Sequence, residues 1–215
     1  MARFRLSKRT CLRLFLASCI VAAAAYYGWT AFDNFHEVLP GLLYRSGQLS
    51  PAHLRARVES KGIRTIINLR GPNPQEKWYR EEIASCQSNG LVHIDLPIDS
   101  GFPTNDEMRE MMQAFETCPK PVLIHCQSGI DRTGIASALA CLLLDENSSP
   151  ELAMEQLTWQ YGCLPGRKSR KDKRDFLIAY ESWLNDQHLA HSCRYFRGWL
   201  QVMMSISDLA QPHHS

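Results

Sequence analysis

The sequence holds 215 residues, of which 45% are hydrophobic and 21% charged, and its formal net charge at pH 7 is +2. This length allows one domain of ordinary size with additional segments, and the apolar content is sufficient for a hydrophobic core. The first 13 residues hold five basic and no acidic side chains, so the rest of the chain carries 19 basic against 22 acidic residues. A body with that negative balance argues against a nucleic-acid-binding protein.

The N-terminal segment, residues 1–32, combines this basic start with an uncharged run at residues 14–32. A run of 19 residues is just long enough to span a bilayer, and the preceding basic residues favour the cytoplasmic side for that end. We therefore expect a hydrophobic anchor helix and an exported body. Two alternatives stay open. The alanines at 23–25 would suit cleavage of a signal peptide, and residues 16–19 are similar to a lipoprotein box.

Eight cysteines are scattered along the chain without a CxxC pair or a Cys/His metal spacing. The sequence therefore indicates no zinc site. In an exported protein, disulfides could form among Cys86, Cys118, Cys163 and Cys193, and the sequence alone does not select a pair.

From residue 33 the chain alternates strand and helix patterns. Strands are predicted within residues 34–51 and at 63–69, 91–98 and 122–124, and helices at 51–60, 75–88 and 105–117. Ser50 and Thr104 are suitable helix N-caps, and Glu107 completes a capping box with Thr104. Alternation at this spacing predicts an α/β fold in which helices flank a mostly parallel central sheet.

The stretch 122–134, VLIHCQSGIDRTG, predicts a buried strand, a tight loop and the start of an apolar helix. Consecutive backbone N–H groups that curl into a helix N-terminus form an anion site, and Gly129 allows the loop to bend. A cysteine in such a nest, here Cys126, should have a lowered pKa because the N–H groups stabilise its thiolate. Arg132 offers a planar fork for two phosphate oxygens. The stretch therefore predicts a nucleophile on the floor of a phosphate-binding loop.

The C-terminal part is predicted to be helical at residues 135–144, 150–161 and 168–185, with a last helix within 188–215. Five apolar residues of the third helix repeat at helical spacing and predict core packing: Phe176, Leu177, Tyr180, Trp183 and Leu184. Six basic residues lie between positions 167 and 174. They indicate either a solvated helix start or a surface that faces anionic lipid or phosphorylated substrate.

The motif HCQSGIDRTG at 125–134 resembles the signature of the cysteine-dependent protein tyrosine and dual-specificity phosphatases. With YRSGQ at 44–48 and INLRG at 67–71, the likeness covers about residues 34–185 and is nearest to the small exported bacterial dual-specificity-like phosphatases. The resemblance implies a metal-free catalytic domain without cofactor that acts on phosphotyrosine or mixed phosphoesters.

The N-terminal pattern and this resemblance together predict an organisation and a location. Residues 1–32 would be the anchor or signal segment, residues 33–187 the catalytic domain, and residues 188–215 a helical extension. The expected location is the bacterial inner membrane, crossed once, with the catalytic domain in the periplasm; a cleaved signal would instead leave a soluble periplasmic protein. The expected partners are a phosphorylated protein or lipid substrate and the membrane, but no nucleic acid, and the oligomeric state is open.

In the resembled family the cysteine, here Cys126, is the nucleophile, and the arginine, here Arg132, binds phosphate. An aspartate on a loop about thirty residues earlier protonates the leaving group. Asp95 lies inside a strand pattern, and Asp106 lies in a first helical turn, where the helix dipole already explains an acid. Asp99 ends the strand, begins a loop and lies 27 residues before the cysteine, so we predict that Asp99 is the acid.

His125 is expected to orient the loop and help to hold the thiolate, and Thr133 to donate its hydroxyl to the sulfur. Phosphate-binding backbone N–H groups are expected from Gln127, Ser128, Gly129, Ile130, Asp131 and Arg132. The carboxylate of Asp131 must point away from a dianion or orient water. Family members that prefer inositol lipids often carry lysines where Gln127 and Ile130 stand, which disfavours lipid phosphates without excluding them.

The expected function is metal-independent hydrolysis of phosphomonoesters through a cysteinyl-phosphate, on phosphotyrosine or phosphoserine/threonine proteins. A phospholipid or glycolipid headgroup phosphatase is the alternative that the anchor and the basic cluster favour. A non-catalytic phosphate-binding module is the third possibility. The joint presence of Cys126, Arg132 and Asp99 argues against it, because a binding module needs no nucleophile.

Overall fold

The computed structural model describes residues 8–31, 33–99, 101–164 and 168–210. Five strands form one sheet in the order β1-β2-β5-β3-β4. They are β1 (His36–Leu39), β2 (Leu43–Ser46), β3 (Thr65–Asn68), β4 (Val92–Asp95) and β5 (Val122–His125). β1 is antiparallel to β2, and every other neighbouring pair is parallel. The predicted mostly parallel sheet is confirmed.

Eight α-helices accompany the sheet within the described residues: α1 (Lys8–Ala31), α2 (Pro51–Lys61), α3 (Lys77–Ser88), α4 (Asn105–Thr117), α5 (Asp131–Leu144), α6 (Pro150–Glu155), α7 (Lys168–Asp186) and α8 (Cys193–Ala210). The predicted capping box is present, because the Thr104 hydroxyl accepts from the N–H of Glu107 and the Glu107 carboxylate accepts from the N–H of Thr104. Ser50 caps α2 as expected. Local side-chain bonds thus define where these helices begin.

The prediction of one helix over residues 150–161 is wrong. α6 ends at Glu155, and Trp159–Tyr161 forms a single 3-10 turn. The backbone carbonyl of Gln156 accepts a hydrogen bond at 2.9 Å from the guanidinium of Arg45, which reaches it from β2. A tertiary bond therefore takes a carbonyl that a continuing helix would use for its own ladder.

The sheet separates two apolar layers because successive strand residues face opposite sides. Ile66 and Leu123 pack in a smaller cluster that includes side chains of α2 and α3. Their neighbours Ile67 and Ile124 face a larger core, built with α4, α5, α7 and α8. α5 lies within this core, and all its residues from 133 to 143 are buried. The helix that follows the phosphate-binding loop is therefore held on all sides.

The two long C-terminal helices complete the larger core. Leu177 and Tyr180 of α7 are fully buried, and Phe176 packs against them, as the helical spacing predicted. The last helix expected within residues 188–215 is α8, and its buried residues include Phe196 and Leu200. α8 therefore packs on the body of the protein and belongs to its core.

α1 is a helix of 24 residues whose side chains from 12 to 24 are exposed. Within the part of the chain that the structure describes, no helix is both long and apolar enough to cross a bilayer. The predicted anchor is therefore not confirmed. Residues 1–7 and the side chains at 165–170, which hold parts of the predicted basic segments, lie outside the described residues.

The burial of α8 leads to a stability prediction. Leu200→Ala should lower the free energy of unfolding by about 2–5 kcal/mol, because it removes a fully buried side chain and leaves a cavity. Val202→Ala, on the exposed face of the same helix, should change it by less than about 0.5 kcal/mol. Urea unfolding of the two variants measures both values. Equal effects would contradict the packing of α8 on the core.

Candidate active site

The site lies where three parallel strands end. Ser46 of β2 and Asn68 of β3 both stand opposite His125 of β5, so the three carboxyl ends meet at one edge of the sheet. The loop of residues 126–130 leaves β5 there and enters α5. The loops that follow β2 and β3 therefore flank the predicted phosphate-binding loop.

The backbone carbonyls of this loop are bound from outside. The side-chain amide of Asn34 donates to the carbonyls of Ser128 and Gly129, each at 3.1 Å. The guanidinium of Arg45 donates to the carbonyl of Gly129 at 2.8 Å. Because a trans peptide unit directs its C=O and N–H to opposite sides, these bonds turn the following N–H groups toward the inside of the loop.

Two further donors continue this arrangement. The backbone N–H of Gln48 donates to the carbonyl of Gln127 at 3.1 Å, and the ammonium of Lys173 donates to the carbonyl of Asp131, also at 3.1 Å. Carbonyls at four positions of the 127–131 segment are thus occupied by donors from three distant parts of the chain. The loop is thereby prepared to bind an anion with its inward N–H groups.

Gly129 is required by a close approach of the loop to the end of β2. Its φ of +68° lies in the left-handed region, and a Cβ at this position would lie 2.6 Å from the backbone nitrogen of Gly47. The same atom would lie 2.6 Å from the carbonyl carbon of Ser46. Only glycine allows this contact, in agreement with the bend expected at this position from the sequence.

Cys126 is buried at the bottom of the loop, with 2% of its surface exposed. Burial alone raises the pKa of its thiol, but four groups around the sulfur outweigh burial and lower the pKa below its ordinary value. They are the hydroxyl and N–H of Thr133, the charge of Arg132 and the N–H of Gly129. The thiolate is therefore favoured, as a nucleophile requires.

Thr133 and Arg132 lie in the first turn of α5, close to the sulfur of Cys126. The Thr133 hydroxyl is fully buried and makes no hydrogen bond to any other described residue, which leaves it for the sulfur of Cys126. Arg132 is half-buried, and its Nη1 donates to the carbonyl of Leu69 at 3.4 Å. The guanidinium thus lies between the first turn of α5 and the loop after β3.

His125 is held by a buried acid that the sequence analysis did not identify. Its Nε2 lies 3.1 Å from a carboxylate oxygen of Glu82, which also accepts from His93 at 2.9 Å and from Gln48 at 2.5 Å. Burial raises the pKa of Glu82, but the charge and hydrogen bond of His125, with the bonds from His93 and Gln48, hold it below its usual range. The ionised Glu82 therefore fixes the orientation of His125 next to the nucleophile.

Glu82 lies three residues after Tyr79, on the inner stripe of α3. This helical spacing is the sequence signal that could have revealed the burial of Glu82.

Two of the three candidate acids have other roles in the structure. Asp95 accepts hydrogen bonds from the hydroxyl of Tyr79 at 2.5 Å and from the amide of Asn68 at 2.8 Å, so it is committed to the sheet. This bond helps to raise the pKa of Tyr79 to about 12. Asp106 is exposed and pairs with Arg109 at 2.7 Å in the first turn of α4.

Asp99 remains the predicted acid. It is exposed and follows the carboxyl end of β4, at the same edge of the sheet as the nucleophile. Its backbone N–H donates to the carboxylate of Glu107 at 3.1 Å, which links the start of its loop to the N-terminus of α4. Ser100, the next residue, lies outside the described part of the chain.

Two buried cations behind the loop were also missed. Arg45 is fully buried, burial lowers its pKa to about 10, and its guanidinium lies 4.0 Å from the ring centre of Tyr161. Lys173 is 1% exposed, and burial lowers its pKa as well. The interpretation of the 167–174 cluster as a surface is therefore wrong for Lys173. This residue lies four positions before Leu177 on the inner stripe of α7, a spacing that could have shown its burial.

A sequence model of the tyrosine phosphatase family matches residues 27–150, more than half of the chain. Cyclin-dependent kinase inhibitor 3 of Rattus norvegicus is 27% identical over 124 residues, which cover 55% of this chain and 58% of that protein. The chain spans less than two thirds of the length of the curated relatives that it matches.

Solved structures with the same fold include a phosphatase domain from yeast and a bacterial protein. The core catalytic domain of the PP-IP phosphatase Siw14 from S. cerevisiae superposes with a TM-score of 0.54 at 18% identity, covering 74% of this chain and 96% of that chain. TpbA of P. aeruginosa superposes with a TM-score of 0.54 at 16% identity, covering 69% and 86%. Together with the family match, this likeness confirms the resemblance expected from residues 125–134.

The lowered pKa of Cys126 leads to a prediction about the pH dependence of its alkylation. Alkylation by iodoacetamide should proceed below the free thiol value of about 8.5, because only the thiolate reacts. Thr133→Val removes the hydroxyl at the sulfur and should move the midpoint of the pH profile to higher pH. Burial raises the pKa of Cys141 to about 12, so this thiol should stay unreactive in the same range.

Ser137→Ala is the matched control, since Ser137 holds a buried hydroxyl one turn further along α5 with no hydrogen-bond partner among the described residues. It should leave the midpoint unchanged. A midpoint for Thr133→Val equal to that of the unaltered protein would contradict the role of this hydroxyl. The seven cysteines whose side chains are described form no disulfide.

Proposed function

The chain belongs to the tyrosine phosphatase family, and on that premise we propose that it hydrolyses phosphomonoesters without a metal, through a cysteinyl-phosphate. The observation that carries this proposal is the loop itself. Its carbonyls are bonded outward, and its N–H groups and Arg132 surround a thiol whose pKa is lowered. Nucleophile, cation and oxyanion donors are thus all supplied by the chain.

In the first step the thiolate of Cys126 attacks the phosphorus of the bound ester. A bond from sulfur to phosphorus forms as the bond from phosphorus to the ester oxygen breaks. The fork of Arg132 and the inward N–H groups hold the equatorial oxygens, where negative charge is concentrated. Asp99, as the proposed general acid, gives its proton to the departing oxygen, so that an alcohol or phenol leaves.

In the second step Asp99 acts as the base. It takes a proton from a water molecule, whose oxygen attacks the phosphorus while the bond from phosphorus to sulfur breaks. Inorganic phosphate is released, and the thiolate of Cys126 returns. The hydroxyl of Thr133 and the N–H of Gly129 stabilise the departing sulfur by the same contacts that lower the pKa of the thiol.

Phosphorylated tyrosine, serine or threonine side chains of proteins are the proposed substrates. Two positions in the loop, Gln127 and Ile130, carry no charge where a polyanionic lipid headgroup would gain from lysines. Lys173, the one cation of the 167–174 segment with a described buried side chain, faces the inside of the molecule and is not available to a lipid surface. Both observations favour protein phosphoesters over lipid headgroups.

We also propose that residues 1–32 attach the enzyme to the bacterial inner membrane, with the catalytic domain on the periplasmic side. Basic residues precede an uncharged run in this segment, the pattern that keeps an N-terminus in the cytoplasm. Leu14, Phe15 and Ile20 of α1 are each more than half exposed, which leaves apolar surface that can contact the lipid bilayer. A cleaved signal is the alternative and would release the same domain in soluble form.

Substitution at the two reactive positions tests the chemistry. Cys126→Ser should abolish turnover of a phosphotyrosine peptide, because a serine hydroxyl stays protonated at neutral pH and is then a weak nucleophile. Asp99→Asn should lower kcat about 100-fold for the peptide and less for 4-nitrophenyl phosphate, whose leaving group needs less protonation. Steady-state kinetics of the 215-residue chain, with and without a chelator, measure these effects.

Asp106→Asn is the control for the acid, because Asp106 is exposed and pairs only with Arg109 and the helix terminus in the described structure. It should retain full activity. Equal losses in Asp99→Asn and Asp106→Asn would remove Asp99 from the mechanism. Turnover that persists in Cys126→Ser, or that stops with chelator, would refute the proposed reaction.

Cell fractionation tests the membrane proposal. The full chain should sediment with inner membranes and be released by detergent, and protease added to spheroplasts should degrade the catalytic domain. A shorter soluble form in the periplasm would support the cleaved signal. An intact chain that is protected from protease in spheroplasts would contradict export.

A further inference from the structure

A second arginine lies beside the phosphate-binding loop. β3 ends at Asn68, opposite His125, and the N–H of Leu69 donates to the carbonyl of His125 at 2.9 Å. The carbonyl of Leu69 in turn accepts from Arg132 at 3.4 Å. The next residue, Arg70, therefore stands directly after the backbone position that Arg132 contacts, at the same edge of the sheet as the nucleophile.

The side chain of Arg70 is held in place from two sides. Its guanidinium carbon lies 3.5 Å from the ring centre of Trp78, and Nη1 donates to the side-chain oxygen of Gln48 at 3.0 Å. The amide nitrogen of Gln48 donates to Glu82, the acid that also holds His125. The amide of Gln48 can satisfy both neighbours in one orientation only, so the buried network orients Arg70 as well.

This cation has no acidic partner among the described residues. None of their ion pairs includes Arg70 or Arg132. Burial lowers the pKa of Arg70, and the nearby charge of Arg132 lowers it further, whereas the thiolate of Cys126 and the carboxylates of Glu82 and Glu76 raise it without forming an ion pair. The two like charges of Arg70 and Arg132 repel each other, and a bound anion relieves that repulsion.

Arg70 has more N–H donors than its described neighbours accept from. A guanidinium has five N–H groups in a planar fork, and the described residues accept from Nη1 only. The half-buried side chain thus keeps most of its fork for a ligand. The scissile phosphate already has Arg132 and the loop N–H groups, so the ligand of Arg70 is a different anionic group.

We infer that Arg70, held by Trp78 and Gln48, forms a subsite for a second oxyacid group of the substrate, next to the scissile phosphate. This inference rests on the proposed function and narrows its substrate class to esters that carry a further carboxylate or phosphate. The shared chemistry is a planar or tetrahedral oxyanion that accepts two parallel N–H bonds. An acidic residue beside a phosphotyrosine provides it, and so does a second phosphate on the same molecule.

The test compares substrates that differ only in the second anion. The first pair is a phosphotyrosine peptide flanked by glutamate and the same peptide flanked by glutamine. The second pair is fructose 1,6-bisphosphate and fructose 6-phosphate. For each pair, the ratio of kcat/KM values is measured with the full chain, with Arg70→Met, with Arg70→Lys and with Arg64→Met.

The unaltered protein should prefer the doubly anionic member of at least one pair. Arg70→Met should reduce that preference about tenfold, as expected for a lost hydrogen bond between two charged groups. Arg70→Lys should keep part of the preference, because it retains the charge but not the fork. Arg64→Met should keep all of it, since Arg64 is exposed and precedes β3, at the opposite edge of the sheet. The substrate pair whose kcat/KM ratio changes in Arg70→Met identifies the source of the second anion.

Binding separates this inference from the proposed function. Calorimetric titration of the peptides into Cys126→Ser, with and without Arg70→Met, reports the subsite even where no turnover occurs. A tenfold weaker binding of the glutamate peptide with unchanged binding of the glutamine peptide would support the subsite independently of catalysis. If Arg70→Met lowers kcat/KM or affinity for both members of each pair by the same factor, the subsite is refuted and Arg70 has only a structural role.

Discussion

The site depends on the outward direction of the backbone carbonyls between residues 127 and 131. Asn34, Arg45 and Lys173 bind these carbonyls and come from segments before β1, within β2 and within α7. A hydrogen bond from a charged donor contributes about 1.5–3 kcal/mol, and an unpaired buried carbonyl costs a similar amount. The loop is thus held in the one conformation that directs its N–H groups toward the sulfur of Cys126. The glycine at 129 then follows, because the loop must touch the end of β2 to receive these bonds.

The buried cations have an electrostatic consequence beyond the bonds that they make. Arg45 and Lys173 both donate to backbone carbonyls of the loop, so two buried positive charges lie directly behind it. Burial lowers the pKa of both residues, and nearby negative groups partly oppose it: Tyr161 and Cys126 raise the pKa of Arg45, and Asp131, Cys163 and Cys126 raise that of Lys173. Burial of a cation is costly, and here that cost is offset where a thiolate and a phosphate dianion need positive potential. The two buried cations therefore stabilise both the conformation of the loop and the negative charges that the reaction places there.

Glu82 organises the opposite side of the site. It contacts His125 next to the nucleophile and Gln48 next to Arg70, so one buried carboxylate connects the reacting centre with the proposed second-anion subsite. Both carboxylate oxygens of Glu82 are bonded in this network, so a movement of Glu82 would break its contacts with His125, His93 and Gln48 together. The orientation of His125 beside the nucleophile and the orientation of Arg70 are thereby linked through the buried Glu82 and the half-buried Gln48.

The sequence by itself determined the features that depend on neighbours within about ten residues. The strand, loop and helix around Cys126, the capping box of Thr104 and the inner stripe of α7 all follow from local periodicity and local hydrogen bonds. Only the tertiary structure showed which side chains support the loop, since Arg45 reaches Gly129 across 84 positions of sequence. The end of α6 likewise involves a distant partner, because Arg45 donates to the carbonyl of Gln156 directly after the last helical residue. Local sequence patterns reflect backbone geometry, whereas the hydrogen-bond partners of a buried charged side chain depend on how the whole chain packs.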